Sequence, residues 1–560
     1  MLRLAPALAI GVLIVPVAMG LIGVLLPAFG WLPAIGGTEP SLQPWRQLLV
    51  QPGIGRSIMV SYLAGVFTGA TALAVTFLFL AGFTGSRSFH WVRRVVSPLL
   101  SVPHAAAAFG FAYLIAPSGL FVRMLSPWAT GWTRPPDLLI VNDPWGWSMM
   151  AALVAKEIPF LLLMCLAALP QVDAPGRLMV ARTLGYRPVA GWLKAVAPAL
   201  YPLIRLPVLA VIAYSSSVVD VALILGPTNP PPLSVAVIRW LNDPELSMRF
   251  MASAGAVLQL VVTLAALATW WLGERLVMAV SRTWLEGGQR SCADRLLANL
   301  GGAGMLFAVL AAGLGLVSLG VWSLAGQWRF PSLWPQSIGL ASWQRYAPAL
   351  WDPLAATLLV GVLATAVSLV IVIGALENET RRGRPASQVA TNVLYLPLVV
   401  PPVAFLFGLV IGAEVIGIRP GFWLVALGHI VFVLPYVYLS LVEAYRRLDP
   451  RYDRLARTLG ASPARVFWTI RMPLLLAPCL TAVAVGFAVS VGQYLATQLL
   501  GAGRLPTVTT EAVALASGGD RRVIGIWALV QALLPGLGFA LALAVPRLVW
   551  RHRRQMLESR

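Results

Sequence analysis

A helix needs about 20 mainly apolar residues to cross a lipid bilayer, and this chain supplies about twelve such runs in succession. They lie near 5–28, 57–82, 95–116, 146–169, 198–225 and 251–273, then near 301–325, 353–376, 388–411, 421–444, 474–498 and 523–546. The first, Leu4 to Phe29, exceeds the apolar core of a signal peptide and reads as an uncleaved span. In lipid each backbone N–H and C=O must be satisfied within the protein, and helices do this segment by segment. Charged residues make up only 11% of the chain, against roughly 25% in soluble domains. The expected fold is an all-α polytopic membrane protein of about twelve transmembrane helices.

The formal net charge is +20, but the basic residues are spread over many short loops. That distribution excludes a nucleic-acid surface, which gathers its charge in one patch. It fits orientation in a membrane, where Lys and Arg concentrate in cytoplasmic loops. With both termini inside, the inner loops hold Arg87, Arg93 and Arg94; Arg177, Arg182, Arg187 and Lys194; Arg275, Arg282, Arg290 and Arg295; Arg381, Arg382 and Arg384; Arg446, Arg447, Arg451, Arg454, Arg457, Arg465 and Arg471; and Arg547, Arg551, Arg553, Arg554 and Arg560. The outer loops carry Trp128, Trp132, Pro135, Pro136 and Trp145 instead, as an interfacial aromatic belt does.

The chain repeats itself. Ala181-Arg182-Thr183-Leu184-Gly185 recurs later as Ala456-Arg457-Thr458-Leu459-Gly460, and at the same offset Pro188 matches Pro463, Pro198 matches Pro473 and Gly226 matches Gly501. The reading is a duplicated unit: a first half over 1–273, a cytoplasmic linker over 274–300 and a second half over 301–560, packed about a pseudo-two-fold axis.

Both copies fall in a long loop between the fourth and fifth spans of their half, near 170–197 and 446–473. Residues 451–459 suit a short amphipathic helix with Leu455 and Leu459 on one face and Arg454 and Arg457 elsewhere. Gly460 is placed to end it and Pro463 to open the next turn.

This segment resembles the EAA loop of binding-protein-dependent ABC importer permeases, whose pattern is Glu-Ala-Ala, three residues, Gly, nine residues, then Ile-x-Leu-Pro. The second copy gives Arg454-Leu455-Ala456, Gly460, Ile470, Met472 and Pro473; the first gives Met179-Val180-Ala181, Gly185, Ala195, Ala197 and Pro198. The Gly-to-Pro spacing agrees in both, while Met179 and Arg454 stand where the family has its leading Glu. The fused pair of halves is similar to the permeases of the thiamine and ferric-iron importers and to related fused permeases. The resemblance implies two copies of a cytoplasmic ABC ATPase, one under each loop, with Mg-ATP bound by those subunits. It also implies a periplasmic substrate-binding protein and a place in the bacterial inner membrane.

The chain lacks the means to hydrolyse ATP. A phosphate-binding loop ends in Lys followed by Ser or Thr, and the lysines, Lys156 and Lys194, precede Glu157 and Ala195. No metal-ligand spacing joins His90, His104, His429 and His552. Polar groups within spans are costly and mark function or internal pairing. Lys156, Glu157, Asp220, Gln493 and Tyr494 are therefore the candidates to line a translocation path, with internal pairing of Lys156 and helix capping by Asp220 as the other reading. The rival to an ATP-driven importer is an ion-gradient-driven secondary transporter of two six-span repeats. It would place proton or sodium sites at these same residues.

Overall fold

The computed structural model describes residues 2–518 and 520–550. Arg551, His552, Arg553, Arg554 and Arg560, singled out above, lie outside them. In the first half the chain forms α1 (Ala5–Ala28), α2 (Ile54–Phe83), α3 (Arg87–Leu100), α4 (His104–Ile115), α5 (Trp147–Ala168), α6 (Ala174–Thr183), α7 (Pro188–Ala195), α8 (Ala197–Ser217), α9 (Asp220–Leu225), α10 (Leu233–Leu241) and α11 (Met248–Glu286). The second half follows with α12 (Asp294–Leu324), α13 (Ala341–Arg382), α14 (Gln388–Leu394), α15 (Leu396–Val399), α16 (Pro402–Val415), α17 (Phe422–Arg446), α18 (Pro450–Thr458), α19 (Pro463–Val466), α20 (Met472–Val491), α21 (Leu495–Gly501), α22 (Val508–Ala514) and α23 (Arg521–Val549). The structure is an all-α membrane protein, and among the described residues 11 helical stretches are long and apolar enough to cross a bilayer.

The twelfth expected span, near 388–411, is not one helix. It is divided among α14, α15 and the 14-residue α16, because Pro397, Pro401 and Pro402 each remove a backbone donor and clash with the preceding turn. The first half breaks at the matching place. The expected span 95–116 is split at Ser101–Pro103, and α3 is a separate amphipathic helix. Its N-terminus is capped by the Ser86 hydroxyl accepting from the Phe89 amide at 3.1 Å. It buries Phe89, Val92 and Val96 and leaves Trp91 exposed.

The fifth span of each half, expected as one helix over 198–225 and over 474–498, also breaks. α8 gives way to α9 at Val218–Val219, where Val218 is extended at ψ 138°; α20 gives way to α21 at Gly492–Tyr494. Non-helical backbone inside a membrane protein persists only where other groups satisfy it. Here Ser234 Oγ donates to the Val218 carbonyl at 2.9 Å, and Thr509, the counterpart of Ser234 in the second half, donates its hydroxyl to the Val491 carbonyl. The joining segment expected over 274–300 is largely helical: α11 runs on to Glu286 and α12 starts at Asp294, leaving residues 287–293 between them.

The first span of each half crosses to the other. α1 packs on α16 and α13, and α12 packs on α4 and α2. Small residues make these crossings close, as they do between helices in lipid. At Gly20 a β-carbon would run into the Phe405 carbonyl, and at Gly408 into the Gly20 carbonyl. At the related crossing a β-carbon on Gly110 would lie 2.8 Å from the Gly315 backbone.

Candidate functional site: the repeated loops and the junction between halves

α6 and α18 carry the repeated segment. Each follows an aspartate that caps it: Asp173 accepts from the Gly176 amide at 3.3 Å, and Asp449 from the Arg451 amide at 2.8 Å. Pro450 opens α18 in the first turn, where its missing N–H costs nothing. Thr183 and Thr458 turn their hydroxyls back onto the Val180 and Leu455 carbonyls at 2.8 and 2.7 Å. Both helices stop at a left-handed glycine, Gly185 and Gly460 each at φ +81°. The next amide then closes the turn, Tyr186 onto the Ala181 carbonyl and Ala461 onto the Ala456 carbonyl, each at 3.0 Å. Pro188 and Pro463 open the helices that follow, and Pro198 and Pro473 stand in the first turn of α8 and α20.

The small residues of these helices face the protein, together with Leu178, which packs on the core of the first half, and Asp453, which turns inward to Arg471. Ala181 and Ala456 are buried. Leu455 is 64% and Leu459 80% exposed, Val180 and Leu184 are exposed at the matching places, and Met179 is exposed where the second copy has Arg454. Arg182, Arg454 and Arg457 are exposed alongside them. Each loop thus offers an apolar face rimmed by arginine, which is the composition of a protein-docking surface.

The two loops are held differently. Around the first, Val189, Trp192 and Val196 are buried against α2 and α5 side chains such as Phe79 and Cys165. The joining segment braces it: Asp294 Oδ1 accepts from the Val189 and Ala190 amides at 2.9 and 3.0 Å, and Arg187 N–H donates to the Arg290 carbonyl at 2.9 Å. Lys194 donates to the Trp284 carbonyl at 2.8 Å. Cys292 lies in this segment, where burial and then the Asp294 carboxylate push its thiol above the usual range. The second loop is held by charge. Arg471 Nε donates to Asp453 Oδ1 of α18 at 3.0 Å, and Arg471 Nη1 to Glu377 Oε2 of α13 at 2.6 Å. Glu377 also accepts from Tyr445 of α17 at 2.5 Å and from Arg381 at 2.6 Å. Arg471 and Glu377 are 5% and 3% exposed. Sequence reasoning reads Arg471 as a loop cation and passes over Glu377. The available signal is a carboxylate and a guanidinium both abutting apolar runs.

The candidate path residues lie where the helix breaks meet. Glu157 pairs with His104 Nε2 at 2.9 Å. The His104 ring lies 4.6 Å from the Tyr214 ring, and Tyr214 donates to Asp220 Oδ1 at 3.5 Å. Tyr436 and Tyr494 of the second half lie within electrostatic range of Glu157 and Asp220 respectively. The structure thus brings Glu157, Asp220 and Tyr494 together across the halves and adds His104, Tyr214 and Tyr436, which the sequence does not single out. Gln493 stands at the α20–α21 break beside Tyr494. Lys156 donates to the Leu99 carbonyl at 3.3 Å. Asp220 is the first residue of α9. His429 is buried between Ser490 and Thr497, at 2.7 and 2.9 Å.

Residues 369–549 match the profile described as a binding-protein-dependent transport system inner membrane component. The chain is 31% identical over 512 residues to the inner membrane ABC transporter permease protein YnjC of Escherichia coli (strain K12), covering 91% of each chain. Over 205 residues it is 25% identical to the putative 2-aminoethylphosphonate transport system permease protein PhnV of Salmonella typhimurium, covering 36% of this chain and 76% of that one. Over 173 residues it is 34% identical to the molybdenum transport system permease protein ModB of Mycobacterium tuberculosis, covering 28% of this chain and 65% of that one.

Proposed function

Because this chain belongs to the permease family that forms the membrane component of binding-protein-dependent ABC transporters, we propose that it is the membrane-spanning permease subunit of an ATP-driven importer, both halves in one polypeptide. It is a transport component rather than an enzyme, and it resides as a multi-pass protein in the inner membrane with both termini in the cytoplasm. Two copies of a cytoplasmic ABC ATPase dock on α6 and α18 and bind Mg-ATP. A periplasmic binding protein delivers a small solute to the opposite face. Closure of the ATPase pair draws the two loops together, and the spans rock so that the junction around His104, Glu157, Tyr214, Asp220, Tyr436 and Tyr494 opens to one side and then the other.

The observation that carries this reading is the pair of repeated loops. Two helices with matched caps and matched left-handed glycines expose matched apolar residues. A connector with no partner has no reason to hold such a face in water twice over. Relatives named for 2-aminoethylphosphonate and molybdenum support a small polar solute as the cargo.

The test is composition. The chain, tagged in its native membrane and solubilised gently, should bring down an ABC ATPase at two copies per chain, measured by mass spectrometry after cross-linking. Absence of any ATPase would overturn the reading and turn attention to ion-driven uptake through Glu157 and Asp220.

A further inference from the structure

The second loop is tied to the membrane helices by a continuous chain of charge that is buried at Arg471 and Glu377. Asp453 sits in α18, and Arg471, at the entrance to α20, grips it from two nitrogens. The same guanidinium reaches Glu377 near the loop-side end of α13, and Tyr445 of α17 completes the carboxylate. Arg381, one turn further along α13, holds the other oxygen of Glu377 and also donates to the Pro463 carbonyl at 3.4 Å. One guanidinium and one carboxylate therefore bind α18 to the ends of three different spans.

The first half carries none of these groups at the matching positions. At the offset of the repeat Leu178 stands for Asp453, Val196 for Arg471 and Pro170 for Tyr445, and in the register that pairs Ser61 with Thr357 the buried Ala81 stands for Glu377; Val196 is fully buried among apolar side chains. Apolar contacts slide with little change in energy, because dispersion is non-directional. A bidentate guanidinium–carboxylate contact is directional, and displacing it leaves buried charge uncompensated. The two loops thus differ in mechanical character. The first is cushioned and braced by the joining segment; the second is clamped.

We propose that Arg471 and Glu377 are positioning residues that make α18, α13, α17 and α20 move as one body, so that displacement of the second loop is passed undiminished to the spans. This rests on the ATPase docking proposed above. Arg471 acts through Asp453 and Glu377.

The experiment separates motion of the loops from motion of the spans. In the complex purified with its ATPase, native cysteines replaced, spin labels are placed in two pairs. One pair is at Arg187 and Arg465, beside the two loops; the other is at Leu163 and Leu439, on the loop-side halves of α5 and α17. On addition of Mg-ATP both pairs should shorten in the parent protein. In Arg471→Met the loop pair should still shorten while the span pair should not. Arg471→Lys, which keeps charge but not the fork, should restore part of the span movement. Full span movement in Arg471→Met would overturn the proposal, as would loss of both movements with the ATPase still bound, since that places the residue in docking alone. Should Arg471→Met fail to reach the membrane, Arg471→Lys and Tyr445→Phe decide. Reduced span movement in these supports the clamp, and unchanged movement in both overturns it. Failure of the loop pair to respond in the parent protein would speak against ATPase docking, not against the clamp.

Discussion

The amide of Val508 donates to the hydroxyl of Thr357 at 3.0 Å. In the other half the amide of Leu233, the counterpart of Val508 in the repeat, donates to the hydroxyl of Ser61 at the same distance. Each bond fastens the segment returning from a broken span to the second span of its half, so the duplication extends to individual hydrogen bonds. Gln259 and Gln531 continue the correspondence, donating to the Ser216 carbonyl and to Thr509 at 3.0 and 2.9 Å. These groups let irregular backbone persist at membrane depth, and the junction between the halves is built on that backbone.

Removing one such hydroxyl leaves an amide buried without an acceptor. Thr357→Val keeps the shape of the side chain and loses the acceptor for Val508 along with the hydroxyl's own bond to the Pro353 carbonyl, and should cost about 1–3 kcal/mol. Ser61→Ala should cost a similar amount at the other site. Thermal unfolding of the detergent-solubilised protein measures both, and Thr481→Val, whose hydroxyl turns back onto its own helix at Ala477, serves as the control with little effect.

The crossings of α1 over α16 and of α12 over α4 depend on glycine for space rather than for backbone freedom. Gly408→Leu and Gly110→Leu must force the helices apart, and overpacking of this kind costs about 1–3 kcal/mol or more. Gly11→Leu and Gly313→Leu, at positions with nothing within 4 Å, should leave the unfolding temperature unchanged. Equal effects in the two groups would show that the crossings are looser than these contacts require.

The spans and loops are legible in the sequence because they depend on local signals. A long apolar run needs no partner to declare itself, and Gly460 with Pro463 fixes a turn wherever the loop lies. What is not legible depends on residues distant in sequence. The break after Ser217 looks like continuous helix because the hydroxyl that satisfies Val218 comes from Ser234. The breaks at Pro103 and Pro401 are within reach, since proline excludes the preceding turn, but the surrounding hydrophobicity masks them. The exchange of α1 and α12 between halves leaves no trace, because one lipid-compatible helix face resembles another. Among the path candidates, Glu157, Asp220 and Tyr494 come together, and Lys156 beside them bonds the Leu99 carbonyl. The sign of a charge says that a partner exists but not which way along the helix it lies. His104 joins Glu157 from 53 residues away, and Arg471 joins Glu377 from 94.

Gly460 has nothing within 4 Å of where a β-carbon would stand, yet its φ is +81°. A side chain there meets only backbone strain, roughly 1–2 kcal/mol. Gly460→Val should therefore distort the turn that presents α18 and lower the amount of ATPase retained on purification, while the protein still inserts. Gly503→Val is the matched control: φ is +71°, also with open space around it, in the loop after α21. It should cost the same stability and retain the full complement of ATPase.

Leu455 and Leu459 lie on the exposed face of α18, so replacing them should not touch the fold. Leu459→Asp should leave the unfolding temperature within about 1 °C, since exposed substitutions fall within roughly ±0.5 kcal/mol. The same change should weaken ATPase association by about 2 kcal/mol or more if the leucine anchors the interface. Binding of the purified ATPase to immobilised permease, titrated in parallel with the parent protein, gives the number; equal affinities would remove α18 from the interface.

Glu157 and Asp220 carry charge into the junction from the first half, and the second half answers with tyrosine hydroxyls. Glu157→Gln is isosteric and keeps an acceptor for His104, but removes the charge that faces Tyr436. If this group lies on the solute's path, the variant should transport more slowly while its thermal stability and its bound ATPase stay unchanged. Asp220→Asn tests the second carboxylate in the same way, through the contact with Tyr214. If both variants transport at the parental rate, the pair serves packing between the halves. If instead stability falls by about 1–3 kcal/mol, the scale for leaving a buried hydrogen-bonding group without its partner, the His104–Glu157 contact holds the junction together rather than lining it. Uptake into proteoliposomes, scored beside unfolding temperature on the same preparation, distinguishes the three outcomes.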